Sequence, residues 1–277
     1  MTSDAPTVCL LVEGPTVPEW QAAALSDLFE RTDATVTAIG YNAEASERSL
    51  ADTLRRAGEL REWAVVGTVN EWLRTESVSG ERVALADICD TTEVIEREIQ
   101  PEAVDGWKQR LPAEPVEALA AEADICLRLG FGFIIGPVLS AFEDGVLSYH
   151  HGDLRRYRGQ PMGFWEFLDG ADTAGVTVQV LTDELDAGRV AAHKTVPIGD
   201  CQTWGAVKRR LFEASGDMLA EAVQNVQAGE VWEPETLGSL YTLPKGWAVA
   251  RFTVKNLRGH VRERVGHTTS PSPASDL

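Results

Sequence analysis

The residues best suited to chemistry are concentrated between Ser148 and Gly159, in the stretch SYHHGDLRRYRG. In an extended segment, side chains two positions apart point the same way, so Ser148 and His150 share one face while Tyr149 and His151 share the other. A hydroxyl and an imidazole would therefore converge on one spot. Imidazole changes charge near neutral pH, which suits proton transfer when a carboxylate orients the ring in a desolvated pocket.

Two other interpretations of these histidines stay open at this point. They can be ordinary loop side chains, or part of a His-His-x-Asp metal site with Asp153, although no other well-placed ligands accompany them. The four cysteines, at positions 9, 89, 126 and 201, form no CxxC pair. We therefore expect reduced thiols, with no zinc knuckle and no disulfide framework.

A second polar stretch, LTDELDAG at residues 181–188, follows the alternating segment Val176 to Val180. In so acidic a chain, its three carboxylates can form a solvated turn, or one of them can orient His150. Gly130, Gly132 and Gly136 give GxGxxxG, one residue longer than the dinucleotide fingerprint and not in the first βα turn. The chain also lacks Walker A, GxSxG and HExxH sequences, which disfavours the corresponding nucleotide-binding and hydrolase classes.

The predicted elements alternate between strands and helices. The run TVCLLV at 7–12 indicates a buried strand, a helix follows Pro18, and ATVTAI at 34–39 indicates a second strand, which is a βαβ opening. Periodicity predicts further strands at 123–129, 145–149 and 176–180 (the last half-buried), and helices within 46–73 and at 115–122, 160–168 and 204–229. Residues 87–110 stay unassigned. The alternation predicts an α/β fold with a Rossmann-like, doubly wound, mostly parallel sheet and a helical C-terminal extension.

The charge is unusual, since 25 basic residues against 43 acidic ones leave a net charge of −18. Long-range repulsion then disfavours nucleic acids and anionic membranes as partners. We interpret the surface as adapted to a saline cytoplasm, with an ordinary acidic protein as the alternative. No long apolar run or secretion-type leader is present, so we expect a cytoplasmic protein without a membrane partner. One local exception is residues 251–264, with a net charge of +4, which either hold an anionic acceptor or pair with the acidic body.

Together, GVLSYHHGDLRRYRG and GVTVQVLTDELDAGRV resemble the signature of the folate-dependent formyltransferase family. That signature runs Asn-x-His-x-Ser-Leu-Leu-Pro, Tyr/Trp-Arg-Gly, Gly-Val-Thr and a Leu-Asp-x-Gly loop. The order of the motifs, and the 38 positions from Ser148 to Asp186, make the match specific. The resemblance is firm over residues 124–200, weaker before them and absent beyond about 235.

The resemblance implies formyl transfer from 10-formyltetrahydrofolate to an amine, without a metal. His150 matches the family's catalytic histidine and Asp186 its catalytic aspartate, while Ser148 stands where the family has asparagine. In the family, the asparagine and histidine stabilise the oxyanion that forms when the amine attacks, and the aspartate supports the histidine. A serine reaches less far, and losing one well-placed oxyanion donor typically costs about 2.7 to 4 kcal/mol.

The resemblance also implies binding residues. The pteridine would lie between the glycine-containing segment and the Leu-Asp-x-Gly loop, whose residues here are Gly130, Phe131, Gly132, Phe133, Ile134, Leu181, Thr182, Asp183, Glu184 and Leu185. Candidate acceptor contacts are His151, Arg156 and Arg158, although Arg158 can instead fix its own loop.

For the acceptor we expect a small-molecule amine. Glu13-Gly14-Pro15-Thr16 stands where purine-pathway members have a phosphate loop, and the stretch after Gly199 is shorter than the C-terminal barrel of methionyl-tRNA members, so tRNA is an unlikely partner. The alternatives are a formyltetrahydrofolate deformylase and a non-catalytic folate- or metabolite-binding protein. We divide the chain into a catalytic domain (1–200), a helical extension (201–266) able to form a homodimer, and a disordered tail (267–277).

Overall fold

A computed structural model describes residues 5–46 and 80–269. Its strands are β1 (Thr7–Val12), β2 (Thr16–Pro18), β3 (Thr35–Asn42), β4 (Arg82–Ala84), β5 (Ile95–Ile99), β6 (Glu102–Val104), β7 (Lys108–Arg110), β8 (Ile125–Arg128), β9 (Phe133–Ile135), β10 (Val146–His150), β11 (Tyr157–Gly159), β12 (Thr173–Val180), β13 (Arg189–Pro197) and β14 (Ser239–Tyr241). Its α-helices are α1 (Glu19–Arg31), α2 (Ala43–Ser46), α3 (Ala113–Ala120), α4 (Phe164–Asp169), α5 (Trp204–Ser215), α6 (Met218–Ala228) and α7 (Trp247–Thr269). Short 3₁₀ turns cover Leu85–Asp87 and Pro137–Ser140.

The central sheet confirms the predicted α/β fold class. Seven strands lie in the order β13-β12-β10-β8-β1-β3-β5. The pairs from β10 to β5 are parallel, whereas β12 and β13 form an antiparallel hairpin at one edge. The strands predicted around residues 7–12, 34–39, 123–129, 145–149 and 176–180 all belong to this sheet.

The burial of both faces of β1 explains why its sequence is a nearly continuous apolar run. Val8, Leu10 and Val12 belong to one hydrophobic cluster with Leu25 and Leu28 of α1. Its alternate residues, Cys9 and Leu11, belong to a second cluster with Val116 and Leu119 of α3. Because helices cover both faces, both sets of side chains in the strand must be apolar, as is typical of a parallel sheet in a doubly wound fold.

β12 differs from its prediction as a half-buried strand. Thr177 and Gln179 are 0% and 2% exposed, so both faces are buried. The Thr177 hydroxyl donates to the carbonyl of Gly152, and the Gln179 side-chain oxygen accepts from the amide of Gly188. The polar alternation predicts a water-facing side, but protein loops cover that side and satisfy its hydrogen bonds.

The helix predicted over 204–229 is in fact two helices, α5 and α6, separated at Gly216 and Asp217. Both residue types are weak helix formers, while the apolar spacing continues because both helices pack on the same core. α6 does end at Gly229, which has φ +70°. The helix predicted at 160–168 begins only at Phe164, after Pro161.

Three other predictions concern stretches that are short or lie partly outside the described residues. Residues 87–110, which were left unassigned, contribute β5, β6 and β7. Most of the helical stretch predicted within 46–73 lies outside the described residues. α7 continues to Thr269, so the first residues of the predicted tail are helical, while 270–277 lie outside the described range.

The C-terminal helix is anchored through a buried aromatic group. Phe252 is 2% exposed, and its ring centroid lies 4.8 Å from that of Phe164 and 5.6 Å from that of Trp204. The side-chain oxygen of buried Asn256 accepts from the amide of Trp204. α5 and α6 also share the sheet's hydrophobic cluster, so these parts of the 201–266 extension pack on the same core as the strands. Within the described residues, no helix has the length and apolar character needed to cross a bilayer.

We predict that Phe252→Ala lowers the free energy of unfolding by about 3–5 kcal/mol, since it leaves a cavity among aromatic rings. Urea denaturation followed by circular dichroism measures the change. The control is Val254→Ala on the same helix, at a side chain that is 49% exposed, where we expect a change within about 0.5 kcal/mol. Equal effects for the two variants would contradict the observed docking of α7.

Candidate active site

Three neighbouring strands place a row of polar side chains on one face of the sheet. Ser148 on β10 is paired with Arg128 on β8 and with Gln179 on β12. Directly paired residues project to the same face, so the three side chains lie side by side. Ser148 is 3% exposed, which means that its hydroxyl depends on partners within the protein.

Arg128 is the main partner of Ser148. Its Nε and Nη2 atoms donate to Ser148 Oγ at 3.0 and 2.6 Å, and its Nη1 donates to the carbonyls of Phe131 and Gly132, each at 2.6 Å. Burial lowers the pKa of Arg128, while the charge of Asp186 opposes that shift. Sequence reasoning did not select this residue. The available signal was a cation in the otherwise apolar strand ICLR, where unpaired charge is rarely buried.

His150 is held at both ring nitrogens. Nδ1 lies 3.3 Å from Asp186 Oδ2, and Nε2 lies 3.0 Å from the carbonyl oxygen of Tyr157. A carbonyl can only accept, so Nε2 carries a proton. Burial alone would lower the pKa of His150, but the hydrogen bond and charge of Asp186, together with the Tyr157 carbonyl, raise it above its ordinary value. This arrangement favours the imidazolium form.

Both carboxylate oxygens of Asp186 accept hydrogen bonds from neighbouring residues. Its Oδ2 accepts from the amide of Gly159 at 2.8 Å, and its Oδ1 accepts from Gln179 Nε2 at 3.3 Å. Its backbone has φ +47°, a conformation that costs a non-glycine residue of order 1 kcal/mol. Burial would raise its pKa, but His150 and these donors lower it, so the side chain stays a carboxylate.

The two segments predicted to hold the formyl donor meet in the structure. The amide of Gly136 donates to Asp183 Oδ1 at 2.8 Å, which ties the glycine segment to the 181–188 loop. A Cβ added to Gly130 would lie 2.0 Å from the amide nitrogen of Glu13, so the close approach of two backbones requires glycine there. Thr182, Asp183 and Glu184 are exposed, whereas Leu181 and Leu185 are partly buried.

Two of the predicted donor-binding residues have buried side chains. The side chains of Phe131 and Ile134 are 6% and 1% exposed and belong to a hydrophobic cluster. Because these two side chains pack in the core, a contact with the formyl donor would have to come from their backbone groups.

Phe133 instead stacks on Trp107, with ring centroids 5.1 Å apart. Trp107 is an exposed aromatic residue that the sequence analysis missed. The amide of Gly132 donates to Gln109 Oε1.

The three predicted acceptor contacts, His151, Arg156 and Arg158, have different surroundings in the structure. His151 lies against Trp20 and Phe212, with Nε2 3.0 Å from Ser215 Oγ, and burial lowers its pKa to about 3. Its imidazole is therefore a packing group on the opposite face from His150, contrary to the expectation that it contacts substrate.

Of the two roles predicted for Arg158, its contacts match the fixing of its own loop. Its Nε donates to the carbonyl of Asp186, and its Nη2 donates to the carbonyl of Leu185 and the carboxylate of Glu184. The guanidinium thus fixes the loop that carries Asp186. Arg156 is exposed, with its guanidinium 5.7 Å from the Tyr157 ring centroid, and it is the predicted acceptor contact that stays accessible.

The residues of the predicted His-His-x-Asp metal site do not come together in the structure. His150 and His151 face opposite sides of β10, and the Asp153 carboxylate accepts two hydrogen bonds from the Arg155 guanidinium and one from its backbone amide. Over residues 5–46 and 80–269, no group of three or more His, Cys, Asp and Glu side chains is placed to hold a metal ion.

A second buried carboxyl group lies near His150. Glu166 on α4 is 2% exposed, and its Oε1 has no hydrogen-bond partner within the described residues. It lines a small cavity with His150, Gln160 and Gly163. Burial raises the pKa of Glu166 to about 7, although the charges of His150 and Arg156 oppose the shift. The sequence analysis missed this residue, which sits on the buried side of a short helix.

The doubly wound sheet and the buried histidine–aspartate pair at the end of β10 define a Rossmann-like α/β protein with an enzyme-type site. The family model described as formyl transferase matches residues 84–223, which is half of the chain and includes Ser148, His150 and Asp186. This chain therefore belongs to the formyl transferase family.

Named relatives agree with this assignment. The methionyl-tRNA formyltransferase of Listeria monocytogenes serotype 4a (strain HCC23) is 29% identical over 125 residues, covering 45% of this chain and 40% of that protein. The match thus spans about two fifths of the length of that curated relative. Our expectation that tRNA is an unlikely partner is not supported, because methionyl-tRNA formyltransferases are among the matching relatives.

Solved structures share the fold. Glycinamide ribonucleotide transformylase 1 from Symbiobacterium toebii is 20% identical with a TM-score of 0.53, covering 87% of this chain and 96% of that chain. An N-formyltransferase from Helicobacter canadensis, in complex with folinic acid and dTDP-3-aminofucose, is 12% identical with a TM-score of 0.53, covering 93% of this chain and 81% of that chain. At these identities the likeness shows the fold alone.

We predict that Glu166→Gln stabilises the protein at alkaline pH. Because the folded pKa of Glu166, about 7, lies above its ordinary value of 4.5, the stability it contributes is complete below pH 4.5 and is lost as the pH rises to 7. The resulting penalty is of order 3 kcal/mol. Urea denaturation at pH 8 should show the variant more stable by up to that amount, with little difference at pH 4.

The matched control for this experiment is Glu117→Gln on α3, an exposed glutamate, for which we expect no pH-dependent gain. A Glu166→Gln variant that is less stable than the native protein at pH 8 would show that the carboxylate has a partner that holds its charge.

Proposed function

We propose that this protein transfers a formyl group from 10-formyltetrahydrofolate to the amine of a small-molecule acceptor. The observation that carries the proposal is the contact between His150 Nδ1 and Asp186 Oδ2, next to the Arg128–Ser148 pair, in a member of the formyl transferase family. We further propose that residues 1–200 supply the catalytic machinery and 201–266 an extension packed on it.

The donor segment has the chemistry that a pteridine needs. The exposed loop at 182–184 offers peptide groups to a polar ring edge. In the adjacent glycine segment, the carbonyls of Phe131 and Gly132 and the amides of Gly132 and Gly136 are hydrogen-bonded within the protein, which fixes the shape of that wall. Phe131, Ile134 and Leu181 lie behind them in one apolar cluster. We propose that these two segments hold the folate, which supplies the formyl group.

Ser148 reaches less far than the asparagine expected at its position, and Arg128 supplies a further hydrogen-bond donor beside it. As the amine attacks, negative charge develops on the formyl oxygen, and a donor aimed at that position lowers the barrier. The Ser148 hydroxyl orients the Arg128 guanidinium, which has more donors and a full positive charge. We propose that Arg128 takes over part of the role of the family's asparagine, with Ser148 as the residue that positions it.

His150 and Asp186 would handle the protons. The attacking nitrogen must lose a proton and the leaving nitrogen must gain one, so a group that gives a proton and takes one back serves both steps. An imidazolium held against the Asp186 carboxylate can do so. Because Nε2 faces the Tyr157 carbonyl, His150 has to exchange that hydrogen bond for one to substrate during turnover.

The acceptor we propose is a small-molecule amine, the class named for the Symbiobacterium toebii and Helicobacter canadensis enzymes of similar fold. Methionyl-tRNA is the acceptor named for the curated relatives. Hydrolysis, in which water replaces the amine, needs the same residues. The three reactions differ in product, since only hydrolysis releases formate when no amine is present.

The first test is binding of 5-formyltetrahydrofolate, followed by tryptophan fluorescence, and then turnover of 10-formyltetrahydrofolate with a panel of amino sugars, amino acids and methionyl-tRNA. We expect saturable folate binding and formylation of a small amine. Formylation of methionyl-tRNA alone, or formate release without any amine, would overturn the proposed acceptor. Absence of folate binding in a folded sample would overturn the proposal as a whole.

We predict that His150→Ala lowers kcat by about a hundredfold to ten-thousandfold, because the proton-transfer group is lost. Folate affinity should change little, since the donor segments are untouched. The control is His260→Ala on α7, which should keep full activity. A fully active His150→Ala variant would exclude this residue from the reaction.

We also predict that Arg128→Met lowers kcat by about a hundredfold to a thousandfold, with little change in the KM for folate. Adding Ser148→Asn to this variant should recover part of the rate, because an amide donor then stands beside the formyl oxygen. Thermal unfolding checks that both variants fold, since Arg128 also bonds two backbone carbonyls. Unchanged turnover in folded Arg128→Met would refute its role as a donor.

A further inference from the structure

A second cavity lies on the far side of α4 from the candidate active site. Its volume is about 580 Å³, within the range of small-molecule sites, and it is lined by α7 and by the loop at 199–202. Leu168 of α4 lines it, whereas Glu166 of the same helix lines the cavity beside His150. The two cavities have no lining residue in common, so this groove is a separate feature of the molecule.

Four cations line this groove along one face of α7. Arg251, Lys255, Arg258 and Arg262 are spaced by four, three and four residues, which places them on one helix face. At a rise of about 1.5 Å per residue, they extend over roughly 16 Å. In a chain with 43 acidic and 25 basic residues, such a row runs against the overall charge.

These cations have neutral partners. Arg251 donates to the carbonyl of Leu168, Lys255 to the carbonyl of Phe167, and Arg262 to the side-chain oxygen of Gln202. Over residues 5–46 and 80–269, none of the four forms an ion pair with a carboxylate, and Arg258 forms no hydrogen bond. The expectation that this segment pairs with the acidic body is therefore not met for these four residues.

Two carboxylates that adjoin groove-lining residues in the sequence already have partners. Asp200 pairs with Arg210, and Glu263 accepts from the Thr203 hydroxyl. Burial and the charge of Arg251 lower the pKa of Lys255, while Asp169 opposes the shift. The cations thus repel one another, none of them is ion-paired within the described residues, and binding of an external anion would relieve that repulsion.

An aromatic residue stands at the edge of the same groove. Trp247, the first residue of α7, lines the cavity and is 77% exposed. An exposed indole face accepts the stacking of a flat ring, and this one stands beside the row of cations. A ligand that combines a flat ring with a chain of anionic groups would use both features.

We propose that this groove binds a small molecule carrying two or more phosphoryl groups and an aromatic ring, of the nucleoside polyphosphate class. Arginine forks match phosphate oxygens in bidentate geometry, and a row of about 16 Å exceeds what one phosphate can contact. Trp247 receives the ring. The proposed site does not depend on formyl transfer, so a binding experiment is enough to test it.

Isothermal titration calorimetry with inorganic phosphate, tripolyphosphate and ATP, at matched ionic strength, tests the proposal. We expect affinity to rise in that order, because the second probe engages more arginines and the third adds stacking on Trp247. Trp247→Ala should remove the advantage of ATP over tripolyphosphate. Equal affinities for those two probes in the native protein would overturn the aromatic part of the assignment.

The deciding variant is Arg258→Glu, which has no hydrogen bond to lose within the described residues and should fold normally. We expect it to weaken tripolyphosphate binding by about tenfold or more, since a charge-assisted contact becomes a repulsion. The matched control is Arg264→Glu, the same charge change on the same helix outside the groove lining, which should leave the affinity nearly unchanged.

Two outcomes would overturn the proposal. One is equal weakening by Arg258→Glu and Arg264→Glu, or no binding of any probe to folded native protein, which would mean that the groove is not a specific site. The other is a single-stranded RNA oligonucleotide that binds through Arg258 more tightly than ATP at the same salt concentration. That result would assign the row of cations to a nucleic acid backbone.

Discussion

The site depends on the position of one carboxylate. Asp186 is the point where three strands meet, because it contacts His150 from β10, the amide of Gly159 from β11 and Gln179 from β12. Its own backbone carbonyl is bound by Arg158. A carboxylate with so many donors stays ionised at neutral pH and cannot move without breaking several hydrogen bonds at once. The charge state and orientation of His150 follow from that.

Three positively charged side chains lie near this carboxylate, each with a different role. Arg158 lies behind the loop and fixes it, while His150 lies beside the carboxylate and shares its charge. Arg128 reaches the same region from the neighbouring strand through Ser148. A buried cation needs a nearby anion, so Asp186 makes it possible for Arg128 and His150 to lie together in an apolar sheet. Ser148 and Arg128 are therefore parts of one arrangement.

The strands and the order of the motifs could be read from the sequence because they depend on local periodicity and on short spacings. The contact of His150 with Asp186 was reached through the resemblance, and pattern alone left several uses open for both residues. Arg128 and Glu166 were missed, since a single charge in an apolar run has no periodic signal and its partners are distant in sequence. The same limit applies to β12, whose polar face is covered by loops that no local pattern reveals.

β10 carries its chemistry on one face and its anchoring on the other. Tyr149 donates to the carbonyl of Ser215, and His151 lies against the Ser215 hydroxyl, so the back of the strand is fastened to the end of α5. A slip of one residue would exchange the two sets, placing an anchoring tyrosine in the site and Ser148 in the core. An insertion or deletion within β10 would therefore disturb the site and its anchoring together.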